Sequence, residues 1–148
     1  MANNLAELNL PFADADYVAL AHFRRSLRLF LSFSEDAART SGLTPKQHQA
    51  ILAIRGLSDE TGLSVGDLAR HLTIQPHSAV ELLNRLEDSG LINRAIGAAD
   101  RRCVMVTLTA RAERLLQKLS HMHVVELRRQ APELVGALRQ LLEKGEPR

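Results

Sequence analysis

The spacing of apolar residues along the chain predicts a mainly helical protein. In the helix predicted from about residue 14 to 38, apolar side chains recur every three or four positions, at Leu20, Phe23, Leu27, Phe30 and Leu31. The same period predicts a second helix that Gly56 closes, and a long helix from Thr109 to about Gln130. Pro132 then restarts a last helix, since proline suits a first helical turn and disrupts a helix interior.

Capping signals separate the helices in the middle of the chain. Thr44 followed by Gln47 forms a capping box, and Pro45 occupies the first helical position. Ser64 repeats this signal more weakly with Asp67 three residues later, which predicts a short helix. The local sequence therefore predicts two helix starts.

A further helix and a β-hairpin complete the middle segment. The helix runs from Pro76 to about Asp88, where a Ser-Gly pair ends it. The stretches LINRAI (91–96) and CVMVTLT (103–109) have strand-like composition, and GAADRR (97–102) between them suits a turn. A short helix, a turn, a second helix and a hairpin in this order are typical of a winged helix-turn-helix, with the hairpin as the wing.

Composition and charge narrow the classes of function. Aromatic residues make up 3% of the chain and tryptophan is absent, which disfavours stacking platforms for RNA or single-stranded DNA. The formal net charge of +2 permits nucleic-acid binding without demanding it. Cys103, the only cysteine, excludes an internal disulfide and suits a reducing cytosol. With no signal peptide evident and no apolar run near the ~20 residues of a membrane span, we expect a cytoplasmic protein with no membrane partner.

The helix that begins at Pro76 and the wing carry the candidate DNA contacts. In a helix-turn-helix the second helix enters the major groove with its N-terminal end, where glutamine pairs with adenine and serine or neutral histidine bonds to bases or phosphates. A wing arginine can enter the minor groove, with Asp100 bracing it. The candidate DNA-binding residues are Ser64, Gln75, Pro76, His77, Ser78, Glu81, Arg85, Asp100, Arg101 and Arg102. The alternative is that these are ordinary solvated residues of a helix and a turn.

The predicted fold class is mainly α with a small β-hairpin wing, in one domain over residues 1–148. Its winged helix-turn-helix part covers residues 43–109. Residues 1–42 and 110–148 form helical dimerisation parts, because their apolar stripes are too wide for one chain of this length to cover. A homodimer would hold two recognition helices about one DNA turn apart, which matches a pseudo-palindromic operator in double-stranded DNA.

Three stretches carry a resemblance to a known family: LTPKQHQAILAI (43–54), LSVGDLARHLTIQPHSAVELLNRLEDSGLINR (63–94) and DRRCVMVTLTARA (100–112). With its helical flanks the chain resembles the MarR family of bacterial transcription regulators. The resemblance implies a dimeric winged-helix DNA binder, usually a repressor and often part of a stress response. Such proteins are often released from DNA by small phenolic or other lipophilic effectors, or by cysteine oxidation.

The resemblance maps the groove-facing residues onto Gln75, His77, Ser78 and the wing residues 100–102. The chain departs from the family at Glu81, where many relatives carry a basic or small polar residue. Phosphates repel a carboxylate in this place, although a cytosine amino group can donate to it. The residues before the wing tip also lack the charges and the proline that are common there.

An effector pocket is expected where the first, second and long helices meet the winged part. The residues expected to line it are His22, Phe23, Phe30 and His48. No cofactor and no metal site are expected, because zinc needs three or four converging ligands, and His121 and His123, two apart on a helix, point in different directions.

Three alternatives remain open from the sequence. Glu81 and the modest net charge are compatible with a winged helix that binds protein and has lost specific DNA binding. Cys103 beside two arginines is compatible with a redox-sensing regulator, because neighbouring cations favour the thiolate. Enzymatic activity is disfavoured, since the sequence has no nucleophile elbow, no glycine-rich phosphate loop and no HExxH motif.

Overall fold

Five helices and three short strands make up residues 11–143, the part of the chain that this computed structural model describes. In chain order they are α1 (Asp14–Thr40), α2 (Pro45–Leu57), β1 (Leu63–Ser64), α3 (Val65–Leu72), α4 (Pro76–Asp88), β2 (Ile92–Ile96), β3 (Val104–Leu108) and α5 (Ala110–Leu142). This order confirms the predicted fold class, mainly α with a β-hairpin wing. The outer ends of the predicted dimerisation parts, residues 1–10 and 144–148, lie outside the described residues.

The described chain divides into two compact units. One comprises residues 33–124 and holds α2, α3, α4 and the three strands, with the end of α1 and the first part of α5. The other comprises the residues up to 32 and those from 125 onward, so that it holds the rest of α1 and α5. Every candidate DNA contact belongs to the first unit.

The core of the unit 33–124 forms where three helices meet a small antiparallel sheet. The sheet has the strand order β1-β3-β2, and Val106 of β3 is paired with Leu63 on one side and Arg94 on the other. The large fully buried side chains come from α2, α3, α4, β2, β3 and α5, and they are Ile51, Ile54, Leu68, Leu83, Leu86, Ile92, Val106 and Leu119. Because burying one such side chain contributes about 1.5–3 kcal/mol, this core fixes which face of α4 turns outward.

The predicted helix starts are confirmed by their hydrogen bonds. The Gln47 amide donates to Thr44 Oγ1 (3.1 Å), and the Thr44 amide donates to Gln47 Oε1 (2.9 Å), so the capping box is complete. The Asp67 amide donates to Ser64 Oγ (3.1 Å) and thereby caps α3. Each cap satisfies an amide that the first helical turn leaves without a partner, which is why these boundaries can be predicted locally.

The prediction of a separate last helix that starts at Pro132 is wrong. Pro132 lies inside α5, which continues to Leu142. Proline removes one helical hydrogen bond and crowds the preceding turn. Beyond it Ala137 is buried and Leu134 and Leu138 are half-buried, so the burial of apolar side chains after the proline favours a continued helix. This tertiary effect overrides the local signal.

The apolar stripe predicted on α1 is only half covered in the single chain. Phe23 and Phe30 are half-buried, whereas Leu20, Leu27 and Leu31 are exposed. An amphipathic helix that leaves leucines in water has apolar area available for a further partner.

Candidate nucleic-acid interface

The outer face of α4 presents most of the candidate DNA contacts. Ala79, Leu83 and Leu86 bury the inner face, which leaves His77 and Arg85 exposed on the other side. Gln75 is the N-cap residue, but its side chain makes no capping hydrogen bond, and it is exposed. The helix therefore begins with polar groups that are open to a ligand.

One side of this face forms a groove of about 520 Å³ together with the start of α2. The groove is lined by Thr44, Pro45, Lys46, Ile74, Ser78, Glu81, Leu82 and Arg85. Lys46 and Arg85 bring two cations to the groove, and neither forms an ion pair within residues 11–143. Sequence reasoning missed Lys46, because only the tertiary fold brings the first turn of α2 beside α4.

An ion pair between β2 and α4 fixes the end of the candidate recognition helix. Arg94 Nε donates to Glu87 Oε2 (3.1 Å), and Arg94 Nη2 donates to Glu87 Oε1 (2.9 Å). These hydrogen bonds lower the pKa of Glu87 and raise the pKa of Arg94. A bidentate pair has a defined geometry, so it sets the direction in which β2 leaves the helix.

The start of α5 holds the same end of α4. Arg111 Nη1 donates to the Ser89 carbonyl (2.7 Å), and Thr109 Oγ1 donates to the Gly90 carbonyl (2.8 Å). The sequence placed the start of this helix at Thr109 but gave no sign of the roles of Arg94 and Arg111, whose partners become neighbours only after the chain turns at Gly90. The last turn of α4 is thus connected to both β2 and α5.

A loop of residues 97–103 forms the tip of the wing. The Gly97 amide donates to the Cys103 carbonyl (2.9 Å), and the Cys103 amide donates to the Asp100 carbonyl (3.1 Å). A Cβ at Gly97 would lie 2.8 Å from the Asp100 carbonyl oxygen, so a side chain there would force this loop to shift. The loop is therefore closed by its own backbone.

Asp100 braces Arg102 within the wing. Asp100 Oδ1 accepts hydrogen bonds from the Arg102 amide (3.0 Å) and from Arg102 Nε (3.3 Å). The first of these bonds is the largest cause of the lowered pKa of Asp100. The Cys103 thiol also contacts the carboxylate, with Sγ 3.8 Å from Oδ2. The side chain of Arg102 nevertheless stays 92% exposed, and Arg101 is exposed as well.

The remaining sequence candidates occupy different surroundings. Ser64 is half-buried, and its hydroxyl is engaged in the cap of α3. Pro76 is the first residue of α4 and exposed, and Ser78 is half-buried in the groove. Among the expected effector residues, Phe23 and Phe30 are half-buried and His22 is exposed. All three belong to the unit formed by the residues up to 32 and those from 125 onward.

His48 lies in a buried cluster that sequence reasoning did not find. Its ring centroid is 4.8 Å from that of His123 on α5. Nδ1 of His123 is 2.6 Å from the Leu119 carbonyl, and its Nε2 is 2.7 Å from the Ser34 hydroxyl. Burial, and secondly the charge of His123, lower the pKa of His48. His48 precedes His123 by 75 positions, so no local sequence pattern predicts that the two rings lie together.

Residues 11–143 contain neither a candidate metal site nor a candidate membrane span. No three His, Cys, Asp or Glu side chains there are grouped so that they could bind a metal ion. No helix in that part of the chain combines the length and the apolar character needed to cross a bilayer.

Comparison with known sequences identifies a family for the segment that holds this interface. Residues 41–102 match the model described as the MarR family. The HTH-type transcriptional repressor Rv2887 of Mycobacterium tuberculosis is 36% identical over 67 residues, which cover 45% of this chain and 48% of that protein. The chain thus spans about half the length of the curated relatives that it matches.

Solved structures share the fold over most of the chain. AbsC, a MarR family transcriptional regulator from Streptomyces coelicolor, has a TM-score of 0.69 at 22% identity, with 91% of this chain and 94% of that chain covered. A mutant of MarR from E. coli, solved in complex with operator DNA, has a TM-score of 0.63 at 19% identity, with 84% and 90% covered. Residues 41–102 are therefore similar to the MarR family, and the fold of the chain is similar to that of AbsC.

Proposed function

We propose that this protein is a transcription regulator that binds specific double-stranded DNA, acting as a dimeric repressor that a small-molecule effector releases. The observation that carries the proposal is a single one. A helix with an exposed polar outer face lies in the same compact unit as a wing whose tip displays two exposed arginines. The name of the mycobacterial relative and the operator-bound E. coli structure support it.

In the proposed complex, α4 lies in the major groove with its first turn against the bases. The Gln75 amide can form two hydrogen bonds with an adenine edge, and His77 and Ser78 lie close enough in sequence to reach neighbouring bases or phosphates. The free amides of the first turn add a preference for phosphate oxygens. Contacts to bases select the sequence, and contacts to phosphates set the position of the protein on the duplex.

The wing is proposed to enter the adjacent minor groove through Arg101 and Arg102. A narrow minor groove concentrates negative potential, and an arginine inserted there responds to groove width. Because Asp100 bonds the backbone and Nε of Arg102, the guanidinium is directed before DNA arrives, which reduces the side-chain entropy lost on binding.

Two further parts of the proposal concern assembly and regulation. The exposed apolar residues of the unit outside 33–124 support a homodimer on a pseudo-palindromic operator; they include Tyr17, Val18, Leu20, Leu27, Leu31, Val125, Val135 and Leu142. The family resemblance supports a small lipophilic or phenolic effector and a cytoplasmic protein. Such an effector acts only if it binds better to a dimer whose recognition helices no longer match the groove spacing.

A second candidate function is a winged helix that binds protein. It is favoured by one observation, the exposed carboxylate of Glu81 in the middle of the outer face of α4. A carboxylate turned toward DNA is repelled by phosphates, whereas a protein partner can supply a cation for it.

Titration by fluorescence anisotropy separates these two functions. The probe is a labelled duplex from just upstream of the protein's own coding region, measured at two salt concentrations with a scrambled duplex as competitor. A DNA regulator binds saturably, loses affinity steeply with salt because counterions are released, and resists the scrambled competitor. Weak binding that is equal for both duplexes would contradict the proposal and favour the protein-binding function.

A further inference from the structure

Glu81 is the single carboxylate in the first two turns of α4. It lies four residues after His77 and three after Ser78, so the three side chains share one helix face. Its side chain is exposed and lines the groove beside Ser78 and Arg85. Unlike Glu87, which is held by Arg94, it forms no ion pair within the described residues.

The chemistry of a carboxylate restricts what it can contact on DNA. An ionised carboxylate only accepts hydrogen bonds, and phosphates offer no donor, so the backbone cannot pair with it. In the major groove, guanine presents two acceptors and thymine presents an acceptor and a methyl group. Cytosine presents an amino donor, whereas adenine places an acceptor beside its donor. Of the four bases, cytosine is therefore the best partner for this side chain.

The groove supplies what a carboxylate near DNA needs, which is compensating positive charge. Lys46 from α2 and Arg85 from α4 line the same groove as Glu81 and lack ion-pair partners in the described residues. Both can contact phosphates on either side of the base that Glu81 approaches. Their attraction to the backbone offsets the repulsion that Glu81 meets there.

We propose that Glu81 is a specificity-determining residue that accepts a hydrogen bond from a cytosine amino group, while Lys46 and Arg85 bind the flanking phosphates. The inference rests on the proposed DNA-binding function and deepens it by naming one base. The negative charge of Glu81 on the recognition helix then serves to select the DNA sequence. We expect each half-site to contain one cytosine whose replacement weakens binding.

A different role for Glu81 would leave a different signature. If the side chain only weakens DNA binding in general, or pairs with Arg85 one turn later on the helix, its removal changes affinity for every duplex by the same factor. If the side chain bonds to a base, its removal changes the base preference at one position of the binding site. The preferences at the other positions stay the same. The order of preference among duplexes therefore distinguishes the roles, whereas affinity for one duplex does not.

The test is selection of binding sites from a random duplex pool by the wild-type protein, Glu81→Gln, Glu81→Ala and the control Glu60→Gln. Glu60 is exposed on the connection between α2 and β1, so its variant makes the same charge change away from α4. Dissociation constants are then measured for the selected duplex and for duplexes with the cytosine replaced. Retention of the far-ultraviolet circular dichroism spectrum checks that each variant is folded.

The wild-type protein and Glu60→Gln are expected to prefer cytosine at one position by roughly tenfold or more, a typical discrimination for one base contact. Glu81→Ala loses the preference at that position alone, and Glu81→Gln moves it to adenine, because an amide both donates and accepts. Unchanged preferences in both Glu81 variants would overturn the inference while leaving the proposed function intact. A wild-type protein that selects no sequence would overturn the proposed function itself.

Discussion

At the scale of single residues, the buried position of His48 changes the pKa of its ring. Its ring lies beside His123, and burial followed by that neighbour lowers its pKa below the ordinary value of 6.5. The unfolded chain therefore takes up a proton at His48 at a higher pH than the folded protein does. The stability that the neutral ring contributes is complete above pH 6.5 and is lost as the pH falls toward the folded-state value.

The variant His48→Gln is expected to flatten this dependence. Urea unfolding at about pH 7.5 and about pH 5.5 measures how much stability acid removes, since only a group that titrates differently in the two states contributes to the slope. His71→Gln is the control, because His71 is exposed on α3. An equal loss of stability with acid in the wild type and in His48→Gln would contradict the assignment.

At the scale of elements, the pair between Glu87 and Arg94 holds the wing strand to the recognition helix. We expect Glu87→Gln to lower affinity for the operator several-fold without changing the preferred sequence, because it loosens a scaffold and removes no base contact. Anisotropy titrations on matched and mismatched duplexes measure both quantities. Glu133→Gln, which breaks an exposed pair with Arg25 in the other unit, is the control. A changed base preference in Glu87→Gln would contradict this scaffold role.

The helices and strands also show which structural features the sequence predicts and why it does not predict the others. Thr44 and Thr109 marked helix starts correctly, because a cap depends on residues within three positions. The Ser-Gly pair marked the end of α4 correctly for the same local reason. Pro132 misled the prediction, since apolar side chains buried after it favour a continued helix, and that burial depends on the tertiary fold. The pairs that orient the candidate site, such as Arg94 with Glu87, depend on turns between elements and left no periodic signal.

At the scale of the whole molecule, the proposed dimer depends on apolar side chains that the single chain leaves exposed. Leu31 on α1 is 54% exposed, and Leu57 at the end of α2 is 50% exposed. Leu31→Glu is expected to shift the protein toward monomer, because each leucine buried in an interface contributes about 1.5–3 kcal/mol and the symmetry counts it twice. Light scattering after size-exclusion chromatography measures the mass.

Leu57→Glu is the matched control for that measurement, since it places the same charge on an equally exposed leucine of the unit 33–124. We expect Leu57→Glu to leave the mass of the protein in solution unchanged. A dimer that resists Leu31→Glu and dissociates with Leu57→Glu would place the interface on the winged unit instead of the flanking helices.

Cleavage by a chelate attached to the wing tests most directly the claim that this winged helix-turn-helix binds a specific duplex with its wing in the minor groove. Because Cys103 is the only cysteine, an iron chelate can be attached at one chosen site, the exposed wing residue Ala98, in the double variant Ala98→Cys, Cys103→Ser. On the duplex that the protein binds, we expect strand cleavage confined to the minor groove beside each half-site. Cleavage spread evenly along the duplex, or none despite saturated binding, would contradict the claim.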